Sequence, residues 1–189
     1  MAILKVARMG HPVLRQKASV VTKKELQSQE VQNLVKDMID TMDDYQGVGL
    51  AAPQVHISKR IFVFQMGGIE AEEGKEGKTE VEILTLINPE IWLVSETKAL
   101  GMEGCLSIPG IRGIVPRWER IGVKALGSNG EVISFEAQSY PARVIQHELD
   151  HLDGILFLDR MDDLRSLSFL EEYLRYDPES IINIESSEN

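Results

Sequence analysis

The apolar positions change period along the chain. Val31, Leu34, Val35, Met38, Ile39 and Met42 recur three and four residues apart, and Thr22-Lys-Lys-Glu25 ahead of them has the form of a capping box. One helix is therefore expected over 23–45. It should stop at GVGLAAPQ (47–54), whose glycines allow tight backbone geometry and whose Pro53 opposes further helix. RIFVFQM (60–66) reads as a strand, and GGIEAEEGKEGKTE (67–80) as a polar, solvated connection. EVEILTLINPEIWLVSET (80–97) suggests two strands broken at Asn88-Pro89, and IGVKALGSNGEVISFEAQ (121–138) a hairpin turning at Asn129-Gly130. Ser139 and Pro141 can open a helix that Gly154 ends, placing VIQHELDH on a helix over 141–152. A second helical stretch is expected over 162–176, ahead of an acidic tail, and no internal repeat is evident.

Composition narrows the classes. The 189 residues are enough for one domain with a full core. No apolar run approaches the roughly 20 residues that span a bilayer. The N-terminal MAILKVARMGHPVLR lacks the apolar region and small-residue cleavage site of a secretory signal, so a cytoplasmic protein is expected, with no membrane association. Twenty Lys and Arg against thirty Asp and Glu leave a net charge of -10 and no basic run, so direct nucleic-acid binding is not expected. Cys105 is the only cysteine, which excludes an intramolecular disulfide and leaves a small buried hydrophobe or a chemical participant.

The candidate chemistry lies in QHELDH (146–151). His147 and His151 are one helical turn apart and project from one face, where they can chelate one ion. Glu148 lies about 100° around the helix, within reach of a water on that ion without being a ligand itself. A solvated polar helix can spell the same letters. A catalytic site of this type takes three protein ligands. The longer H-E-x-x-H-x-x-G-x-x-H pattern is followed as far as Gly154, but its last histidine falls on Phe157. Downstream Asp159, Asp162 and Asp163 remain possible ligands, and upstream stands Cys105 in EGCLSIPG, a glycine-flanked turn.

GVGLAAPQ (47–54), EGCLS (103–107) and QHELDH (146–151), in this order, resemble the three signature motifs of peptide deformylases, enzymes that remove the formyl group from the N-terminal methionine of new bacterial and organellar proteins. The similarity runs from RMGHPVLR through PGIRGIVPR to PARVIQHELDHLDGILFLDRM, close to residue 165. The resemblance implies Cys105, His147 and His151 as metal ligands and Glu148 as general base. It makes the Gln54 side-chain amide and the Leu106 backbone N–H donors to the oxyanion. It pairs Glu103 with Arg117 to brace the Cys105 loop. It places Val48, Val144 and the stem of Arg143 around the methionine side chain with Tyr140 at the rim. The backbone of the GVGLAAPQ loop, Val48 and Gly49 included, and of Ser107 to Gly110 could pair with the extended peptide as a short added strand. One thiolate and two imidazoles suit Fe(II), Ni(II), Co(II) or Zn(II), and the resemblance favours Fe(II) in the cell.

The expectation is thus an α+β fold: antiparallel strands partly enclosing a central metal-binding helix, with residues 1–176 as one catalytic domain and 177–189 as an acidic C-terminal tail. The partners implied are formyl-methionyl nascent peptides, with any ribosome encounter transient. Two other readings predict different features. A zinc endopeptidase needs a ligand downstream of His151, and a structural metal site needs a fourth protein ligand and no Glu148.

Overall fold

The computed structural model describes residues 2–66 and 82–176; the 67–80 connection and the 177–189 tail lie outside the described residues. In chain order the elements are α1 (Lys23–Leu26), α2 (Gln29–Asp44), β1 (Gly49–Ala51), β2 (Ile61–Met66), β3 (Glu82–Leu93), β4 (Lys98–Cys105), β5 (Ile108–Trp118), β6 (Arg120–Leu126), β7 (Val132–Gln138), α3 (Ser139–Leu152), β8 (Ser168–Phe169) and α4 (Leu170–Arg175). Five strands form one antiparallel sheet in the order β1-β2-β3-β6-β7, and three form a second in the order β4-β5-β8.

The apolar run of β2 shows how the larger sheet is covered. Side chains alternate along a strand. Phe62 and Phe64 accordingly pack with Leu86, Ile121, Val123, Val144 and Ile145 on the α3 side. Ile61 and Val63 pack with Val31, Val35, Met38 and Met42 on the α2 side. Both faces are buried, so the strand reads as continuously apolar rather than alternating. α3 lies between the two sheets, touching β1, β2, β6 and β7 of one and β5 of the other. Its end is set by Gly154 at φ 75°, where a side chain would meet the backbone of Arg15. Among the described residues no helix is long and apolar enough to cross a membrane.

The α+β architecture expected from the sequence is present, with four local corrections. The single helix over 23–45 is two helices, because the Thr22 and Glu25 capping box is used by one short turn, and Ser28 then caps a second start by accepting from Val31 N–H at 3.3 Å. Asn88-Pro89 does not break β3. Asn88 takes a left-handed conformation (φ 52°) in a bulge between Ile87 and Glu90 and joins its side-chain amide to the Val21 backbone at 2.8 and 2.9 Å. The helix over 162–176 is confined to α4, since Ser168 and Phe169 instead pair with Arg112 and Ile111 of β5. Finally, the segment around Cys105 is not merely a turn but the junction of β4 and β5, a long hairpin whose glycines and prolines mask its strand character in the sequence.

Candidate metal centre and substrate cleft

β4 ends at Cys105, and Leu106-Ser107 turn the chain into β5. The turn delivers the thiol to the face of α3 that carries His147 and His151, whose rings lie 5.0 Å apart and nearly perpendicular. Cys105 Sγ is 3.2 Å from His151 Nε2, and one ligand atom from each of Cys105, His147 and His151 lies within 4.8 Å of the others. Two of the three possible downstream ligands are engaged elsewhere. Asp159 pairs with Arg15 and accepts from Leu156 N–H, and Asp163 pairs with Arg165.

The donors fit a soft divalent cation. Burial alone would raise the Cys105 thiol, but the His151 and His147 imidazoles carry it well below the ordinary thiol range, which favours the thiolate that metal ligation uses. His147 turns its Nδ1–H to Glu103 Oε2 at 2.8 Å, an orientation that leaves its other ring nitrogen for the site. Three convergent, largely enclosed electron-pair donors of sulfur and nitrogen type are the set expected of Fe(II), Ni(II), Co(II) or Zn(II) rather than of Mg(II) or Ca(II).

Glu148 stands beside this trio and is buried. Burial pushes its carboxyl up to about 7, the neighbouring imidazoles opposing, and its Oε2 has no hydrogen-bond partner among the described residues. The carboxylate lies directly over Gly49, where any Cβ would collide with it. That explains a glycine in β1 on steric grounds alone.

A scan against family models matches residues 3–166 to polypeptide deformylase. The chain belongs to the peptide deformylase family. It is 41% identical to peptide deformylase 1 of Prochlorococcus marinus over 172 residues, 91% of this chain and 88% of that one. The crystal structure of the Thermotoga maritima peptide deformylase superposes with TM-score 0.75 at 39% identity, covering 86% of this chain and 100% of that one. The Met-Ala-Ser-bound class I type b peptide deformylase of Acinetobacter baumannii gives TM-score 0.74 at 39% identity, covering 85% and 100%.

In this deformylase the motif residues share one cleft of about 710 Å³, lined by Val48, Gly49, Gln54, Cys105, Leu106, Tyr140, Arg143, Val144, His147 and Glu148, with His151 behind Cys105. Gln54 is fixed by accepting from Ala51 N–H at 2.8 Å, which aims its Nε2 at Ser107 Oγ (3.2 Å) and Cys105 Sγ (3.5 Å). Val144 serves the core and the cleft at once, whereas Val48 is exposed in the cleft. Arg143 offers the cleft only its stem. Its guanidinium donates to the carbonyls of Ala99, Gly101 and Val115 and to Glu103. The Ser107 carbonyl accepts from Met9 N–H at 2.8 Å, which ties the N-terminal segment to the Cys105 turn.

The Glu103 and Arg117 pair is part of a longer buried chain that sequence reasoning did not reveal. Arg117 holds Glu103 with two bonds of 2.9 and 3.0 Å and also binds Asp150 of α3, which Arg160 clasps from the solvent side at 2.7 Å. Despite burial, His147 and Arg117 hold the Glu103 carboxyl down at about 2, so it stays anionic. Asp150 follows His147 by three residues, a spacing that a solvated helix face shares. Arg117→Met would leave two buried carboxylates short of a partner and is expected to cost about 3–5 kcal/mol. Urea unfolding should show a lower midpoint, and an unchanged one would refute the network's structural role.

Proposed function

We propose that the chain removes the N-formyl group from the formyl-methionine of newly synthesised proteins, releasing formate, with Cys105, His147 and His151 holding the metal and Glu148 moving the proton. Deformylation is the reaction of the family to which the chain belongs, and the division of labour among residues is the proposed part. The observation that carries it is the convergence of the Cys105 thiolate and two imidazoles beside a buried carboxylate with an unpartnered oxygen.

When bound, the metal supplies Lewis acidity that polarises the formyl carbonyl and acidifies water. Fe(II) is the proposed metal in the cell, with Zn(II), Ni(II) or Co(II) able to take its place. Glu148 accepts the proton of the attacking water and returns it to the departing amine as the carbon–nitrogen bond breaks. Gln54 Nε2 and the Leu106 N–H donate to the oxygen that gains charge on addition. Leu106 is the first residue of a two-residue turn, a place where the turn's own hydrogen bond does not use the N–H. Each such donor is worth about 10²–10³ in rate. Formate release from a formyl-Met-Ala-Ser peptide, measured with metal content on the same samples, tests the reading. Metal-loaded protein that releases no formate would refute it.

Val48, Gly49, Tyr140, Arg143 and Val144 form the proposed methionine pocket. That the A. baumannii enzyme was crystallised with Met-Ala-Ser bound supports a peptide ligand for this fold. β1 is the terminal strand of its sheet and lines the cleft, so an extended peptide can add along it. Val144→Phe is expected to reduce kcat/KM for formyl-Met far more than for formyl-Ala. Equal losses would make Val144 a packing residue only.

Residues 1–176 are proposed as the single catalytic domain, since every proposed site residue precedes 177. Truncation after Tyr176 should leave formyl-Met hydrolysis within about twofold, as expected for a terminal segment holding no site residue. A large loss in the purified truncated protein would assign the tail a role. The setting is cytoplasmic, and the net charge of -10 keeps any ribosome encounter transient.

A further inference from the structure

One wall of the cleft is the N-terminal segment, and it brings a charge opposite to that of the chain as a whole. Ala7 N–H donates to the Gln54 carbonyl at 2.7 Å and Met9 N–H to the Ser107 carbonyl at 2.8 Å, so the segment is pinned across two of the motif loops. Val6 and Ala7 are buried by this docking, while Lys5 and Arg8 are left exposed on the cleft lining. Arg112 of β5 lines the same cleft, its guanidinium lying over Gly104 and donating to the Ile111 carbonyl at 2.8 Å.

Among the described residues the acids on that lining are Glu103 and Glu148, both buried, and Glu103 is already paired with Arg117 and Arg143. Among the described residues neither Lys5 nor Arg8 has an acidic partner. In a protein with thirty acids and twenty bases, a cationic rim that has no acidic partner among the described residues calls for an explanation. The anchored backbone fixes where the side chains of Lys5 and Arg8 start, so an ion pair there need order only the side chains.

We propose that Lys5 and Arg8 form a subsite for carboxylate side chains of the substrate beyond its second residue, so that formylated peptides with acidic third and fourth residues are preferred over basic ones. This inference rests on the deformylase reading and adds a selectivity to it. An extended peptide rises about 3.3 Å per residue, so a formyl-methionine at the metal centre carries its later residues out of the pocket along the lining. Attraction at such a rim acts on capture of the peptide and is weakened by salt.

The test compares kcat/KM for three C-terminally amidated peptides, formyl-Met-Ala followed by two Asp, two Asn or two Lys. Each is measured at about 20 mM and about 500 mM salt, where the screening length falls from roughly 20 Å to roughly 4 Å. The expected Asp-to-Lys ratio is on the order of tenfold at low salt and close to one at high salt, as for two exposed ion pairs. The double variant Lys5→Glu/Arg8→Glu should invert the ranking, with circular dichroism and metal content confirming that it folds. If that variant does not fold, the salt dependence of the unmodified enzyme decides alone. Equal kcat/KM for the three peptides at low salt, or an unchanged ranking in the folded double variant, would overturn the subsite. No turnover of the Asn peptide by the unmodified, metal-loaded enzyme would overturn the deformylase reading itself, and the subsite with it.

Discussion

Glu148→Gln should abolish most turnover, by about 10²–10⁴-fold, while leaving the metal content unchanged. Glutamine keeps the shape of the side chain but accepts no proton from water and has none to return to the leaving amine. The replacement is well tolerated sterically, since Glu148 packs over Gly49 and its Oε2 holds no partner that an amide would displace. It also removes a carboxylate that burial disfavours, so the melting temperature should not fall. Formate release and metal stoichiometry should be measured on one preparation. A variant within tenfold of the unmodified enzyme would rule out Glu148 as the general base.

Cys105→Ser should lose metal or shift its preference towards zinc, with activity falling more than about 100-fold, beyond the 10–100-fold typical when a residue outside the ligand set is changed. Serine is nearly the same size, but its hydroxyl stays protonated where the thiol ionises, and oxygen is a harder donor than sulfur. The rest of the site survives the change. Gln54 remains held by Ala51, and His147 by Glu103. The loss should therefore appear in metal affinity and rate, with the far-ultraviolet spectrum retained. A serine variant with full metal and full activity would place the third ligand elsewhere and defeat the assignment of Cys105.

How much of this was legible in the sequence depended on whether the cause was local. The i and i+4 spacing of His147 and His151 and the position of Glu148 follow from helix geometry alone, so that face of α3 could be drawn from six letters. The helix start at Thr22 was legible for the same reason. The β4 and β5 hairpin was not, because glycines and prolines interrupt its strand-forming residues and only the cross-strand pairing, with its register shift between Gly104 and Cys105, joins them into strands. Gln146 and Asp150 look like the solvent face of a helix. Gln146 instead bridges the N–H and carbonyl of Trp118 at 3.0 and 2.9 Å, and Asp150 anchors Arg117. Spacing cannot tell a polar residue that faces water from one that faces a buried strand. The cationic wall at Lys5 and Arg8 escaped notice because it exists only when residues 7 and 9 dock on residues 54 and 107.

If the substrate adds along β1 as proposed, the terminal position of that strand sets a time limit on the reaction. In the proposed binding mode, a three-residue edge beside α3 would accept a chain end that is extended and free of its own structure. A protein whose first residues have already joined a helix or sheet must release them before they can reach Glu148. Deformylation is thus in competition with the folding of the substrate, which for small domains takes microseconds to seconds. Domains that tuck their N-terminus away early must be reached before they finish, and those that leave it loose stay open to the enzyme after folding.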